Sequence, residues 1–206
     1  MNDLLNKELQ RYCEKAINNA NAINEDRKGV LHQLVDYLSN PSQSGETPRL
    51  NFICTHNSRR SHLSQIWAFT AAYYYQVSCN TYSGGTAATA FHPNAVAAIK
   101  KAGFSVSMVG ESNPRYTIGI NESTYLTAWS KTFDDSTNPQ KDFAAIMTCE
   151  EADANCPIIP GADVRIPLRY EDPKHYDGTP QQQSKYEERS FQIATEMFYV
   201  FGLVAS

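Results

Sequence analysis

The chain has no apolar run near the roughly 18 residues needed to cross a bilayer. Its opening, MNDLLNKELQRYCEK, mixes acids and bases where a secretory leader is apolar. A membrane partner is therefore not expected, and the reading is a cytoplasmic protein. Excess positive charge is also missing: 18 Lys and Arg stand against 22 Asp and Glu, net −4, so nucleic acid is not an expected partner. Cysteine is scarce and odd in number, with five at positions 13, 54, 79, 149 and 156, in a 206-residue chain long enough to build a core without staples. In a reducing compartment they read as free or catalytic thiols. Cys13 and Cys79 sit in mixed apolar contexts and read as packing residues.

What is present is 41% apolar and 19% charged residues, the balance of an ordinary globular chain. Two amphipathic helices open it. Leu5, Leu9, Tyr12, Cys13, Ala16, Ile17 and Ala20 share one face; Val30, Leu31, Leu34, Val35 and Leu38 share another, with Asn24 as N-cap of the second helix. NPSQSGETP, residues 40–48, reads as a linker. It divides a helical extension and linker, residues 1–45, from an α/β domain, residues 46–206. Beyond it short apolar runs alternate with helical patterns: Leu50 to Cys54 then Leu63 to Tyr75, Thr81 to Ser83 then Asn94 to Ala102, Phe143 to Thr148, and Val164 to Arg169 then Lys185 to Phe201. That alternation predicts an open parallel sheet with its ligand at the carboxyl ends of the strands. Residues 112–142 break the rhythm and read equally as a hairpin, an excursion over the sheet, or a helix.

The chemistry is concentrated in LNFICTHNSRRSHLSQIW, Leu50 to Trp67, where a strand-like run ends in Cys54-x5-Arg60-Ser61 and a helical pattern follows at once. A thiol at such a turn lies among backbone N–H groups pointing one way, beside a permanent cation. That is a cradle for a tetrahedral oxyanion. A free thiol, with a pKa of about 8.5, is only a few per cent ionised at neutral pH. Lowering it by about three units takes roughly 4 kcal/mol, within reach of a helix N-terminus, loop amides and a guanidinium acting jointly. Cys54 is the candidate nucleophile, and Thr55, His56, Asn57, Ser58, Arg59, Arg60 and Ser61 are the candidate oxyanion-binding residues. Ser61 is placed to donate its hydroxyl to Cys54, and Asn57 tolerates the left-handed backbone of a tight loop.

CTHNSRRS resembles the anion loop of the low-molecular-weight protein-tyrosine-phosphatase superfamily, whose usual pattern is C-x-G-N-x-C-R-S. YSGGTAATAFHPNAVAAIKKAGFSVS resembles that family's second strand and helix. The similarity covers about residues 49–206 and leaves the first two helices outside it. It implies a four-stranded parallel open sheet flanked by helices, here with an N-terminal helical extension, and covalent catalysis through Cys54. Two departures stand out. His56 replaces the glycine, which predicts a solvent-facing ring, and Arg59 replaces the second cysteine, which adds charge favouring thiolate and oxyanion.

Protonating a departing oxygen needs an acid, and Tyr170-Glu171-Asp172-Pro173 offers one. Pro173 holds Asp172 extended, suited to a loop just beyond a strand. Asp-Pro is also a common turn, but its place after the last strand matches the family's general-acid loop. Phosphotyrosine-specific members follow it with paired aromatics; here Lys174 and His175 precede a single Tyr176. The segment AAIMTCEEADANCPIIPGA adds Cys149 and Cys156, spaced Cys-x6-Cys, which is too wide for the tight pairs of structural zinc, so no metal is expected. Two thiols in a buried turn remain a structural alternative. On a regular helix seven residues span roughly 10.5 Å, beyond the ~7 Å a disulfide tolerates, so joining them requires the segment to unwind.

This segment resembles that of the thioredoxin-coupled arsenate reductases built on the same fold, with nucleophile, paired thiols and Asp-Pro in the expected order. The resemblance implies reduction of arsenate to arsenite through a Cys54 adduct and a Cys149/Cys156 disulfide relay, with Arg60 and Asp172 assisting. It implies no bound cofactor, thioredoxin or a similar dithiol as reductant, and a small oxyanion (arsenate or phosphate) as ligand. Two alternatives stand: a phosphomonoester hydrolase acting on a phosphorylated substrate through phosphocysteine, and a non-catalytic oxyanion sensor.

Overall fold

Residues 4–40, 46–155 and 158–206 are described by the computed structural model. The two leading amphipathic patterns form α1 (Lys7–Asn18) and α2 (Glu25–Ser39), and Asn24 caps α2 by accepting the Arg27 N–H at 2.8 Å. After the linker come β1 (Arg49–Cys54), α3 (Arg60–Tyr75), β2 (Asn80–Gly85) and α4 (Pro93–Lys101), the last started by Pro93 at its first position. Strands β3 (Ser105–Val109), β4 (Arg115–Gly119) and β5 (Tyr125–Ala128) follow, then β6 (Phe143–Met147), α5 (Glu150–Asn155), β7 (Ala162–Ile166) and the 23-residue α6 (Gln182–Val204).

The main sheet runs β2-β1-β6-β7, every pair parallel, so the expected four-stranded parallel sheet flanked by helices is what forms. Alternate side chains of its central strands serve two cores. Leu50, Phe52, Ala144 and Ile146 face the large core under α3 and α6, while Ile53, Phe143, Ala145 and Met147 face a smaller one that includes Ala152 of α5. Strand β7 stops at Ile166, short of the expected Arg169, because among the described residues it pairs at the sheet edge with β6 alone and loses that partner where β6 ends. Within the irregular stretch 112–142 the chain forms β4 and β5, a hairpin that pairs with the preceding β3 as a separate antiparallel sheet.

Helix α6 packs against α3 and also against α1, α2 and α4. Leu5, Leu9, Leu31 and Leu34 are fully buried in the same core as Trp67, whose ring stacks on Tyr12 at 5.2 Å and whose indole N–H donates to Ser190 at 2.9 Å. At roughly 2 kcal/mol per buried leucine, the two leading helices share in stabilising the α/β layers. Cys13 and Cys79 serve packing, and burial pushes both thiols well above the ordinary value, Cys79 to about 12. Among the described residues no helix is long and apolar enough to cross a membrane.

Candidate active site

Strand β1 delivers Cys54 to the carboxyl edge of the sheet, and the chain reverses through residues 55–59 into α3. The loop is held from outside by its carbonyls. Cys54 and Thr55 accept from the backbone N–H groups of Thr86 and Ala87, His56 from the hydroxyls of Thr89 and Ser130, and Ser58 from the N–H of His92. The amides of residues 56–59 donate to no acceptor among the described residues. With the carbonyls engaged outside, those donors are free for an anion.

Asn57 locks this shape. It is fully buried with φ 42°, a left-handed conformation that asparagine tolerates better than most residues. Its Nδ2 donates to Ser61 Oγ at 2.8 Å and to His62 Nδ1 at 3.1 Å, and its Oδ1 accepts the Lys131 N–H at 3.0 Å. Ser61 Oγ lies 3.1 Å from Cys54 Sγ, so once the thiol ionises the hydroxyl proton is aimed at sulfur. Because Asn57 donates to Nδ1, the proton of His62 sits on Nε2. Burial, and after it the charge of Lys131, depress this imidazole to about 3, so it is a neutral strut stacked on Phe91 at 4.3 Å.

Arg60, the first residue of α3, donates through Nη1 to the Tyr170 carbonyl at 3.0 Å and through Nη2 to Asp172 Oδ2 at 2.5 Å. Asp172 also caps the short 3₁₀ turn Pro173–Tyr176 by accepting the Lys174 N–H at 3.0 Å. The helix-start cation and the Asp-Pro carboxylate thus meet at one wall of a cavity of about 950 Å³, whose lining includes Cys149, Glu151, His175 and Tyr176. Tyr176 and Tyr170 are the tyrosines that line this space. Trp129 is flanked instead by Arg115 and Lys131, at 4.2 and 4.4 Å from its ring, and Tyr116 is buried against Phe91.

Cys149 arrives on the neighbouring strand. Thr148 N–H donates to the Ile53 carbonyl at 2.7 Å, which sets the ends of β1 and β6 side by side. The Cys149 thiol is buried, 3.4 Å from Thr55 Oγ1, and accepts the Ala152 N–H at 3.4 Å; Thr55 Oγ1 in turn donates to Glu151 at 3.0 Å. Helix α5 occupies the interval after Cys149, anchored by buried Asp153, which is paired with both Arg165 and Arg169. Cys156 lies outside the described residues.

The two side chains that depart from the family's loop pattern differ in exposure. His56 is exposed, as its replacement of glycine predicts. The Arg59 guanidinium is committed to the Tyr186 hydroxyl at 2.7 Å and to Asp177 at 3.2 Å, so its charge ties the loop to the chain beyond Asp172. Sequence reasoning passed over Gly85. A Cβ there would lie 2.6 Å from the Asn57 nitrogen and 2.4 Å from the Ala87 carbonyl oxygen, so only glycine lets β2 press against the anion loop. The available signal was a glycine pair closing a strand. Among the described residues no cluster of three or more His, Cys, Asp or Glu converges as a metal site.

No protein-family model matches the chain. Among curated proteins it is similar to arsenate reductase 2 of Staphylococcus epidermidis, 29% identical over 122 residues that make up 59% of this chain and 76% of that protein. It is also similar to the arsenate reductase of Bacillus subtilis, 27% identical over 144 residues, 70% of this chain and 87% of that one. Among solved structures, a low molecular weight phosphotyrosine phosphatase from Vibrio cholerae superposes with a TM-score of 0.50 and 12% identity, covering 74% of this chain and 93% of that one. The chain thus has curated arsenate reductases as homologues and a low-molecular-weight phosphatase fold, and it is an enzyme.

Proposed function

We propose that this homologue of the arsenate reductases itself reduces arsenate to arsenite at Cys54. Arsenate sits on the free amides of the loop with Arg60 neutralising its charge; the Cys54 thiolate attacks arsenic, and Asp172 protonates the oxygen that leaves as water. Cys149 then attacks the Cys54 sulfur of the adduct. The sulfur–arsenic bond breaks, its electron pair stays on arsenic, As(V) becomes As(III), and a Cys54–Cys149 disulfide remains. In this reading Cys156 next attacks Cys149, and a dithiol such as thioredoxin returns the enzyme to its reduced state.

The observation that carries the proposal is the second buried thiol. Cys149 stands beside Thr55 at the end of the adjacent strand, where ester hydrolysis has no use for it. Thr55 supports the same step, since its hydroxyl joins Cys149 to the Glu151 carboxylate and offers the thiol proton a way out.

The Arg60–Asp172 pair and the anion loop equally suit phosphoester hydrolysis through a phosphocysteine, which makes that activity the second reading. Parallel assays of arsenate reduction with thioredoxin and of aryl phosphate hydrolysis, on the wild type and on Cys149→Ser, separate the two. In the variant nothing attacks the Cys54 adduct, so reduction is expected to stop before the first arsenite is released while any hydrolysis persists. Unchanged arsenate turnover in Cys149→Ser would rule the relay out.

A further inference from the structure

Helix α2 reaches the acid loop. Arg27, in its first turn, forms a two-pronged pair with Glu196 of α6, Nε to Oε1 at 2.9 Å and Nη2 to Oε2 at 2.7 Å. Its remaining Nη1 donates to the Arg169 carbonyl at 3.0 Å, and its guanidinium lies over the Tyr170 ring, 4.6 Å from the centroid. Tyr170 closes the ring of contacts by donating its hydroxyl to Glu196 Oε2 at 2.7 Å. All three side chains are largely removed from solvent, Glu196 and Tyr170 at 2% and 5% exposure. Burial, and after it the Glu196 charge, hold the Tyr170 phenol well above its ordinary value, so it stays a donor. Tyr170 is therefore gripped by its ring and hydroxyl from one side. From the other its backbone is held by Arg60 on the carbonyl and by Thr148, whose carbonyl accepts its N–H at 3.1 Å. Asp172 is two residues further on.

We propose that Arg27 is a positioning residue for the reaction: together with Glu196 it fixes Tyr170, and through Tyr170 it holds Asp172 at the cavity wall beside Arg60. The leading helices then contribute to turnover as well as to the core. This rests on the reading of Asp172 as the acid. A side chain clamped at its ring, its hydroxyl and both backbone polar groups leaves the following residues little freedom, and misplacing a proton donor by about an ångström is enough to slow the step it serves.

The test uses the full chain and whichever substrate the wild type turns over, arsenate with thioredoxin or an aryl phosphate. Arg27→Ala is expected to lower kcat on the order of tenfold with KM changed less than about twofold. Tyr170→Phe, which deletes one hydroxyl and keeps the ring, is expected to lower it about threefold. The decisive arm repeats both substitutions in an Asp172→Asn background. A residue acting through Asp172 has nothing left to position there, so kcat should not fall further; a merely structural defect would lower it equally in both backgrounds. Equal losses in the two backgrounds, or wild-type kcat in both single variants, would overturn the proposal. Wild-type kcat in Asp172→Asn alone would remove the acid and this inference with it, whereas a slow Asp172→Asn beside unaffected Arg27 and Tyr170 variants would sink the clamp and leave the acid standing.

Discussion

Asn57 makes the sharpest prediction because its side chain and its backbone contribute separately. Replacing it with alanine removes three hydrogen bonds and strands two buried groups, the His62 Nδ1 and the Lys131 N–H. At about 1–3 kcal/mol per buried group left unpaired, the side chain is worth about 2–6 kcal/mol. Alanine must also hold φ 42°, which costs it roughly 1–2 kcal/mol and costs glycine almost nothing. Urea unfolding of wild type, Asn57→Ala and Asn57→Gly, followed by fluorescence of buried Trp67, should rank glycine above alanine by about 1 kcal/mol, both far below wild type. Glycine is ordinarily the worse residue, so the reversed order is diagnostic of the left-handed turn. Variants within about 0.5 kcal/mol of wild type, or alanine more stable than glycine, would refute the account of the loop.

The neutral His62 makes stability depend on pH. Its folded value is about 3 against an ordinary 6.5, so below about 6 the unfolded chain binds a proton that the folded chain refuses. Stability from this group is complete above about 6.5 and falls by roughly 1 kcal/mol per unit as pH drops toward 4. The difference in urea-derived stability between wild type and His62→Gln should narrow over that window, and a constant gap would contradict the assignment. Gly85→Ala forces a methyl into the Asn57 and Ala87 backbone; it should cost about 1–3 kcal/mol and weaken the protection of Cys54 from alkylation by added arsenate. Full protection in that variant would mean β2 does not shape the loop.

Much of the site is legible in the sequence because its parts are neighbours along the chain. Cys54, Asn57, Arg60 and Ser61 lie within eight residues, and strand-then-helix periodicity tells where that string must turn. Tyr170-Glu171-Asp172-Pro173 is readable for a similar reason, since proline restricts the residue before it. The Arg59 guanidinium is a different case. Its type announces charge near the thiol, but its partners Asp177 and Tyr186 are more than a hundred residues away, and no local pattern tells that its charge is spent on them. The hairpin β4-β5 was ambiguous because a short alternating run between turns has no length to separate hairpin, excursion and helix.

Local physics along the chain determined where a thiol would meet a helix start, that strands would alternate with helices in a parallel sheet, and that a proline would hold Asp172 extended. Only the tertiary fold, with α2 and α6 docked together and the strands paired in one order, decided what surrounds these groups. Arg27 finds Glu196 across 169 residues, and Cys149 reaches Thr55 because β1 and β6 are parallel neighbours. Periodicity reports the face a residue presents, but the identity of what packs on that face is set by topology, and topology is a property of the whole chain.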